Sequence, residues 1–238
     1  MRINPLFILP NLFTAFSGFL GMLSIIYANR GYIESACWLI IIAMVFDGLD
    51  GRVARMTNTE SKFGVEFDSL CDLVAFGCAP ALMMYFSIGN GYGRFGAMVS
   101  CLFVVFGAIR LAKFNVIFSL TPSKYFIGLP IPSVAIFVVT LLTLQNRYKI
   151  ISNEITILIL CFVVAILMVS NIRYPNFKKL SWNLRKLILV IIIFGIVFIY
   201  PIEGIFILIS AYILFGILRF FYILFSKLVI SKIRKFSS

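Results

Sequence analysis

The chain reads as an all-α integral membrane protein with about eight transmembrane helices, and three observations carry that expectation. Of its 238 residues, 62% belong to the apolar set AVILMFWYC and only 13% are charged. An ordinary soluble domain holds roughly 45–50% apolar residues even when Gly is counted. The mean hydropathy is +1.07. Apolar runs of near 20 residues recur from one end to the other, the length a helix needs to cross about 30 Å of hydrocarbon. No water is available there for exposed backbone N–H and C=O groups, so a helix that bonds within itself is the fitting element.

Taken in order, the runs lie near 9–28, 33–54, 69–88, 95–118, 128–145, 154–171, 186–200 and 202–224, each broken by polar or turn residues. The first is interrupted by Asn11 and Thr14. It lacks a basic n-region and a small-residue cleavage site, so it is expected to remain as the first helix and not to act as a removable signal. The last two are joined by Tyr200-Pro201-Ile202-Glu203-Gly204, a turn too short to hold a domain, and should form a hairpin. Eight spans of about 20 residues use about 160 positions, which leaves no room for a second, soluble domain.

Lys and Arg number 21 against 9 acids, a net charge of +12, and there is no His. The missing His removes His general bases and the usual His-containing zinc sites. The five cysteines show no CxxC spacing and sit in or beside apolar runs, which reads as buried free thiols. With these spans, seventeen basic residues fall on the side of the N-terminus and four on the other: Arg30, Arg94, Arg147 and Lys149. The positive-inside rule then places both termini in the cytoplasm, in a multi-pass protein of the cell membrane. The excess charge is topology and contact with anionic membrane lipids. It does not form a folded basic face, so no nucleic acid is expected as a partner.

Six of the nine acids fall between residues 47 and 72. Asp47 and Asp50 are spaced i, i+3 at the cytoplasmic end of the second span; Asp68 and Asp72 are spaced i, i+4 at the start of the third. Each pair lies on one helical face. If the two helices are antiparallel neighbours, four carboxylates converge just inside the cytoplasmic surface. Any one of these acids is well explained as a helix cap or as a surface partner of Arg52, Arg55 or Lys62. Four together are not, because an Asp facing the apolar region costs roughly 2.5 to 3.5 kcal/mol on insertion scales. Oxygen-only ligands suit a hard cation such as Mg²⁺ or Mn²⁺, and four Asp can hold two ions about 3.5 to 4 Å apart, a geometry used on phosphoryl groups. Gly51 and Gly64 permit close approach of backbone or ligand, Ala54 is small on the same helix, and Arg55 can fork a phosphate. Singly, the small residues are explained by helix packing.

The complete set, Asp47-x2-Asp50-Gly51-x2-Ala54-Arg55-x8-Gly64-x3-Asp68-x3-Asp72, resembles the signature of the CDP-alcohol phosphotransferases. The resemblance implies a six-helix core over roughly residues 1–171, followed over 172–238 by a cytoplasmic loop, a C-terminal hairpin and a basic tail. It implies that two divalent cations, held by Asp47, Asp50, Asp68 and Asp72, face the pyrophosphate of a CDP-linked donor. Asp72 would also serve as general base for the acceptor hydroxyl. Gly51, Ala54, Arg55 and Gly64 correspond to positions that receive the CDP moiety, and Asn11 and Thr14 resemble the family's N-x2-T element near the nucleotide. A homodimer is implied by the same resemblance.

Three further stretches are similar to the serine-accepting branch of the family, the membrane-integral phosphatidylserine synthases: Arg110-Leu111-Ala112-Lys113-Phe114-Asn115, Phe126-x-Gly128-Leu129-Pro130-x-Pro132 and Val169-Ser170-Asn171-Ile172-Arg173-Tyr174-Pro175. They imply CDP-diacylglycerol as donor and L-serine as acceptor. Serine needs a cation for its carboxylate and an acceptor for its ammonium; Arg110, Lys113 and Asn115 are the candidates. Lys113 is explained equally well as a membrane-end anchor. Two alternatives stay open: phosphatidyl transfer to glycerol 3-phosphate or inositol phosphate, and, from another class, divalent-cation transport through intramembrane acids.

Overall fold

The computed structural model describes residues 8–120, 126–170, 172–174, 195 and 197–236. The expected seventh span, 186–200, lies outside them except for 195 and 197–200, and the side chains of the basic tail Lys227 to Lys235 lie outside them too. The described chain is an all-α multi-pass membrane protein. Its helices are α1 (Ile8–Asn29), α2 (Ile33–Met56), α3 (Lys62–Asp72), α4 (Ala79–Ser87), α5 (Gly93–Leu120), α6 (Ile131–Tyr148), α7 (Glu154–Val169) and α8 (Pro201–Phe236). Among the described residues, four uninterrupted helical stretches are long and apolar enough to cross a bilayer: Ile8–Asn29, Lys62–Ser87, Gly89–Val116 and Pro201–Tyr222.

The two faces of α1 show how the sequence builds a membrane fold. Pro10, Thr14, Ser17, Gly21, Ser24 and Ala28 recur at three- and four-residue intervals and are buried. Leu12, Phe16, Phe19, Met22 and Ile26 point outward. In lipid the outer face needs no polarity, and helices associate by close backbone approach through small residues. A Cβ on Gly21 would lie 2.5 Å from the Ala75 Cα, so only glycine allows α1 this near to the helix that follows α3. The same face meets α2, α3 and α4.

Helix α6 occupies the centre. Every residue from Val134 to Gln145 is buried, as expected of a helix apolar on all sides. Its buried hydroxyls bond back along the helix, Thr140 Oγ1 to the Ile136 carbonyl at 2.6 Å and Thr143 Oγ1 to the Val139 carbonyl at 2.7 Å, so no polar group there is stranded. Between α3 and α4 the helix widens into a π-helical segment, Leu73–Cys78, and the Ala79 N–H donates to the carbonyl of Val74, five residues back. Pro80 lies just beyond. In a regular α-helix its ring would meet the carbonyl of Phe76, and the wider turn relieves that conflict.

Two of the stretches singled out in the sequence meet in space. Phe126–Ile127 pairs antiparallel with Arg173–Tyr174. Gly128 follows at φ +79°, its N–H donating to the Ile172 carbonyl at 2.9 Å, and a Cβ there would come within 2.3 Å of the Met168 carbonyl oxygen. Ile131 then starts α6 with its Cδ1 close to Gly107 of α5 and Gly77 of the π segment.

Candidate active site

Helices α2 and α3 are joined by a short turn in which the Thr57 and Thr59 N–H groups donate to the Val53 and Ala54 carbonyls, both at 2.9 Å. Ser61 caps α3, its hydroxyl accepting from the Gly64 N–H at 3.0 Å. This tight connection turns the chain back on itself and sets the acid-bearing end of α2 beside that of α3. One carboxylate oxygen from each of Asp47, Asp50 and Asp68 lies within 4.8 Å of the others. Asp50 is buried, the other two are half-buried. Asp72, one turn beyond Asp68, stands outside this trio with its carboxyl group next to that of Asp47.

Helix α1 closes the trio from above. Thr14 Oγ1 donates to Asp50 Oδ2 and lies 3.2 Å from the Pro10 carbonyl. Asn11 sits one turn earlier, its Oδ1 only 3.4 Å from where a Cβ on Gly64 would be. Gly64 is therefore pinched between Ser61 and Asn11, and the two ends of the expected donor site, N-x2-T on α1 and glycine on α3, touch. Arg55 folds back over Gly51, with its Nη1 3.6 Å from a Cβ placed there. Ala54, half-buried, lies on the same turn as Arg55.

The acceptor candidates come from the end of α5. Asn115 Nδ2 donates to the Ser69 hydroxyl at 2.9 Å, which ties α5 to α3 between Asp68 and Asp72. Arg110 is buried, at 9% exposure, with its guanidinium 5.3 Å from the Phe114 ring centre. It lies within electrostatic reach of Asp72 and Asp47. Lys113 is half-buried on the next turn. Arg110 is thus a cation facing the acids; Arg52, Arg55 and Lys62, the basic residues nearest in sequence, are exposed.

One residue near the site has no counterpart in the sequence reading. Tyr212 of α8 is a half-buried residue packed on the core, and it too lies within electrostatic reach of Arg110. Only its phenol hydroxyl, in the apolar run Ala211-Tyr212-Ile213-Leu214, marked it out.

A metal-binding role fits this geometry. The donor set is oxygen alone, which suits hard cations. Asp68 Oδ1 is buried with no hydrogen-bond partner, a state that costs roughly 1 to 3 kcal/mol for an ordinary buried acceptor and more for a charged one. Asp47, Asp50 and Asp68 could hold a divalent cation, with Asp72 at its edge.

A sequence model of the family described as CDP-alcohol phosphatidyltransferase matches residues 7–169. The chain belongs to the CDP-alcohol phosphatidyltransferase family. Among curated relatives, it is 50% identical over 98% of both chains to a protein of Helicobacter pylori (strain ATCC 700392 / 26695) named CDP-diacylglycerol–serine O-phosphatidyltransferase. Proteins with that name from Methanocaldococcus jannaschii, 39% identical over 68% of this chain and 75% of the relative, and from Saccharomyces cerevisiae, 43% identical over 50% and 48%, are also similar. The family match covers the helices that carry all four aspartates, and α8 lies beyond it.

Proposed function

We propose that this chain transfers the phosphatidyl group of CDP-diacylglycerol to the hydroxyl of L-serine, giving phosphatidylserine and CMP. The observation that carries the chemistry is the convergence of Asp47, Asp50 and Asp68, with Asp72 and the buried Arg110 beside them. The choice of serine is supported by the names of relatives that align along nearly the whole chain.

Asp47, Asp50, Asp68 and Asp72 would hold two divalent cations, Mg²⁺ or Mn²⁺, which draw charge off the donor pyrophosphate when bound. Thr14 orients Asp50 through its hydroxyl. Gly51, Ala54, Arg55 and Gly64, with Asn11 and Thr14 above them, form the bed for the CDP moiety, with Arg55 as its cation. Arg110 receives the serine carboxylate, and Asn115 and Lys113 border the same space. Asp72 takes the proton from the serine hydroxyl as that oxygen attacks the phosphorus carrying diacylglycerol. The phosphorus–oxygen bond to CMP breaks, and CMP departs with the electron pair.

The six-helix part, residues 1–171, performs this reaction in the cell membrane, with the site and both termini facing the cytoplasm. This orientation rests on the basic residues flanking the spans. It lets serine and CMP come and go through water while the acyl chains stay in lipid. Residues 172–238 add the C-terminal hairpin and basic tail. A homodimer belongs to the same reading through the family.

The test uses purified protein with CDP-diacylglycerol and Mg²⁺ or Mn²⁺, scoring CMP release with serine, glycerol 3-phosphate or inositol phosphate added singly. Serine-dependent release that a chelator abolishes is the expected result. Release only with a phosphorylated alcohol would overturn the acceptor, and release with none would overturn the transferase reading.

A further inference from the structure

We infer that Ser69 is a positioning residue for the acceptor: it fixes which end of the Asn115 amide faces the site, so that Asn115 Oδ1 receives the ammonium of an amino-acid substrate. The inference rests on the reading of serine as acceptor and deepens it. Asn115 Nδ2 donates to the Ser69 hydroxyl at 2.9 Å. That hydroxyl has one proton, which it donates to the Val65 carbonyl, 3.1 Å away and one turn back in α3. Toward Asn115 it can therefore only accept. The two ends of an amide are alike in shape, and the bonding partner decides between them. Ser69 thus takes the NH2 end, and the oxygen is turned the other way. An amide oxygen attracts an ammonium and repels the oxygens of a phosphate; the flipped amide would do the reverse. This orientation selects an amine-bearing acceptor over a phosphorylated alcohol.

The packing of α5 puts this amide where the acceptor must lie. Helix α5 lies against the π segment that continues α3. A Cβ on Gly107 would be 4.0 Å from Leu73 Cδ1, and further along α5 the contact is that of Asn115 with Ser69. As α5 advances, its partner moves back toward the start of α3, so the two run antiparallel. Arg110 falls between these two contacts on α5, and Asp72 falls between them on the facing helix. An amino-acid acceptor seated there meets three different groups: a guanidinium for its carboxylate, Asp72 for its hydroxyl proton and an amide oxygen for its ammonium. The third group is neutral. A further carboxylate in its place would add to the repulsion among the four aspartates, which an amide oxygen does not. Ser69 and Asn115 are both half-buried, which leaves the amide within reach of a solute entering from water.

The experiment compares the full-length parent with Ser69→Ala, Asn115→Ala and the double variant. Alanine is the better helix former at both positions, so the fold is not at risk. The KM values for serine and for CDP-diacylglycerol, and kcat, are measured by CMP release in mixed micelles. In the same assay 3-hydroxypropionate, which keeps the carboxylate and the hydroxyl of serine but lacks its ammonium, is titrated as a competitor of serine. Ser69→Ala should raise the serine KM about fivefold, the equivalent of one neutral hydrogen bond. The inhibition constant of 3-hydroxypropionate, the donor KM and kcat should stay within about a factor of two. In the Asn115→Ala background the loss of the Ser69 hydroxyl should add nothing, since it acts through the amide. An unchanged serine KM in Ser69→Ala overturns the inference. So does an equal weakening of serine and 3-hydroxypropionate, which marks a structural effect, or a Ser69→Ala effect that persists without Asn115. The parent is measured first: if it shows no serine-dependent CMP release, the acceptor reading falls and takes this inference with it, whereas an active parent with an unaffected Ser69→Ala sinks the inference alone.

Discussion

Asp72 and the three aspartates beside it differ by position, and that difference can be measured. Asp47, Asp50 and Asp68 share one small volume, while Asp72, the proposed general base, lies beside Asp47. Asp72→Asn is expected to fold and to bind CDP-diacylglycerol while turning over at least about 10²-fold more slowly; kcat together with a donor-binding assay checks both halves. Thr14→Val removes the hydroxyl that Asp50 accepts from. A hydrogen bond to a charged group contributes about 1.5 to 3 kcal/mol, so Mn²⁺ affinity, read by calorimetric titration, should fall by about one to two orders of magnitude. The aspartates were legible in the sequence because helical periodicity alone puts each pair on one face. The cation opposite them was not: proximity along the chain favoured Arg52, Arg55 and Lys62, but α5 brings in Arg110 from a distance that no local pattern records. Tyr212 was invisible for the same reason, being one phenol in an apolar helix.

The span limits read from hydropathy match the described helices to within a few residues, with two exceptions: α8 continues past 224 to Phe236, and α3 begins at Lys62 and not near 69 because Ser61 caps it in the polar stretch before the apolar run. Hydropathy sees where lipid starts, whereas the helix starts where a cap is available. The π segment after Asp72 was also missed. Its apolar residues carry no periodic mark, and the signal that could have found it was Pro80, seven to two residues beyond the widened turn's own members. Contact between α1 and this stretch has little slack. Gly21→Leu would drive a side chain into the Ala75 backbone. Overpacking of this kind costs typically about 1 to 3 kcal/mol, and it would push the Asp68–Asp72 helix away from Thr14. The expected result is a lower Tm in detergent together with reduced kcat, and a variant with parental values for both would show that α1 yields more easily than its packing indicates.

Across the whole molecule the two ends of the bundle have different characters. One gathers the carboxylates, Arg110 and Asn115; the other is tied by Arg147 between Glu34 and Glu203. The second group is open, with the Arg147 and Glu34 side chains 36% and 51% exposed. Such pairs contribute about 1 kcal/mol or less. Arg147→Gln should therefore lower stability only slightly, by thermal unfolding in 0.15 M salt. Helix α1 crosses the bundle from one end to the other with 22 residues, about 33 Å at 1.5 Å per residue, close to the thickness of a bilayer's hydrocarbon. Thr14 lies six residues inside its start, about 9 Å down, so Asp50 meets it within the depth of one leaflet, half of about 30 Å of hydrocarbon. The lipid donor need not leave its leaflet to react. It arrives by lateral diffusion, and the rate should scale with its mole fraction in the membrane surface, falling when inert lipid is added at constant bulk concentration.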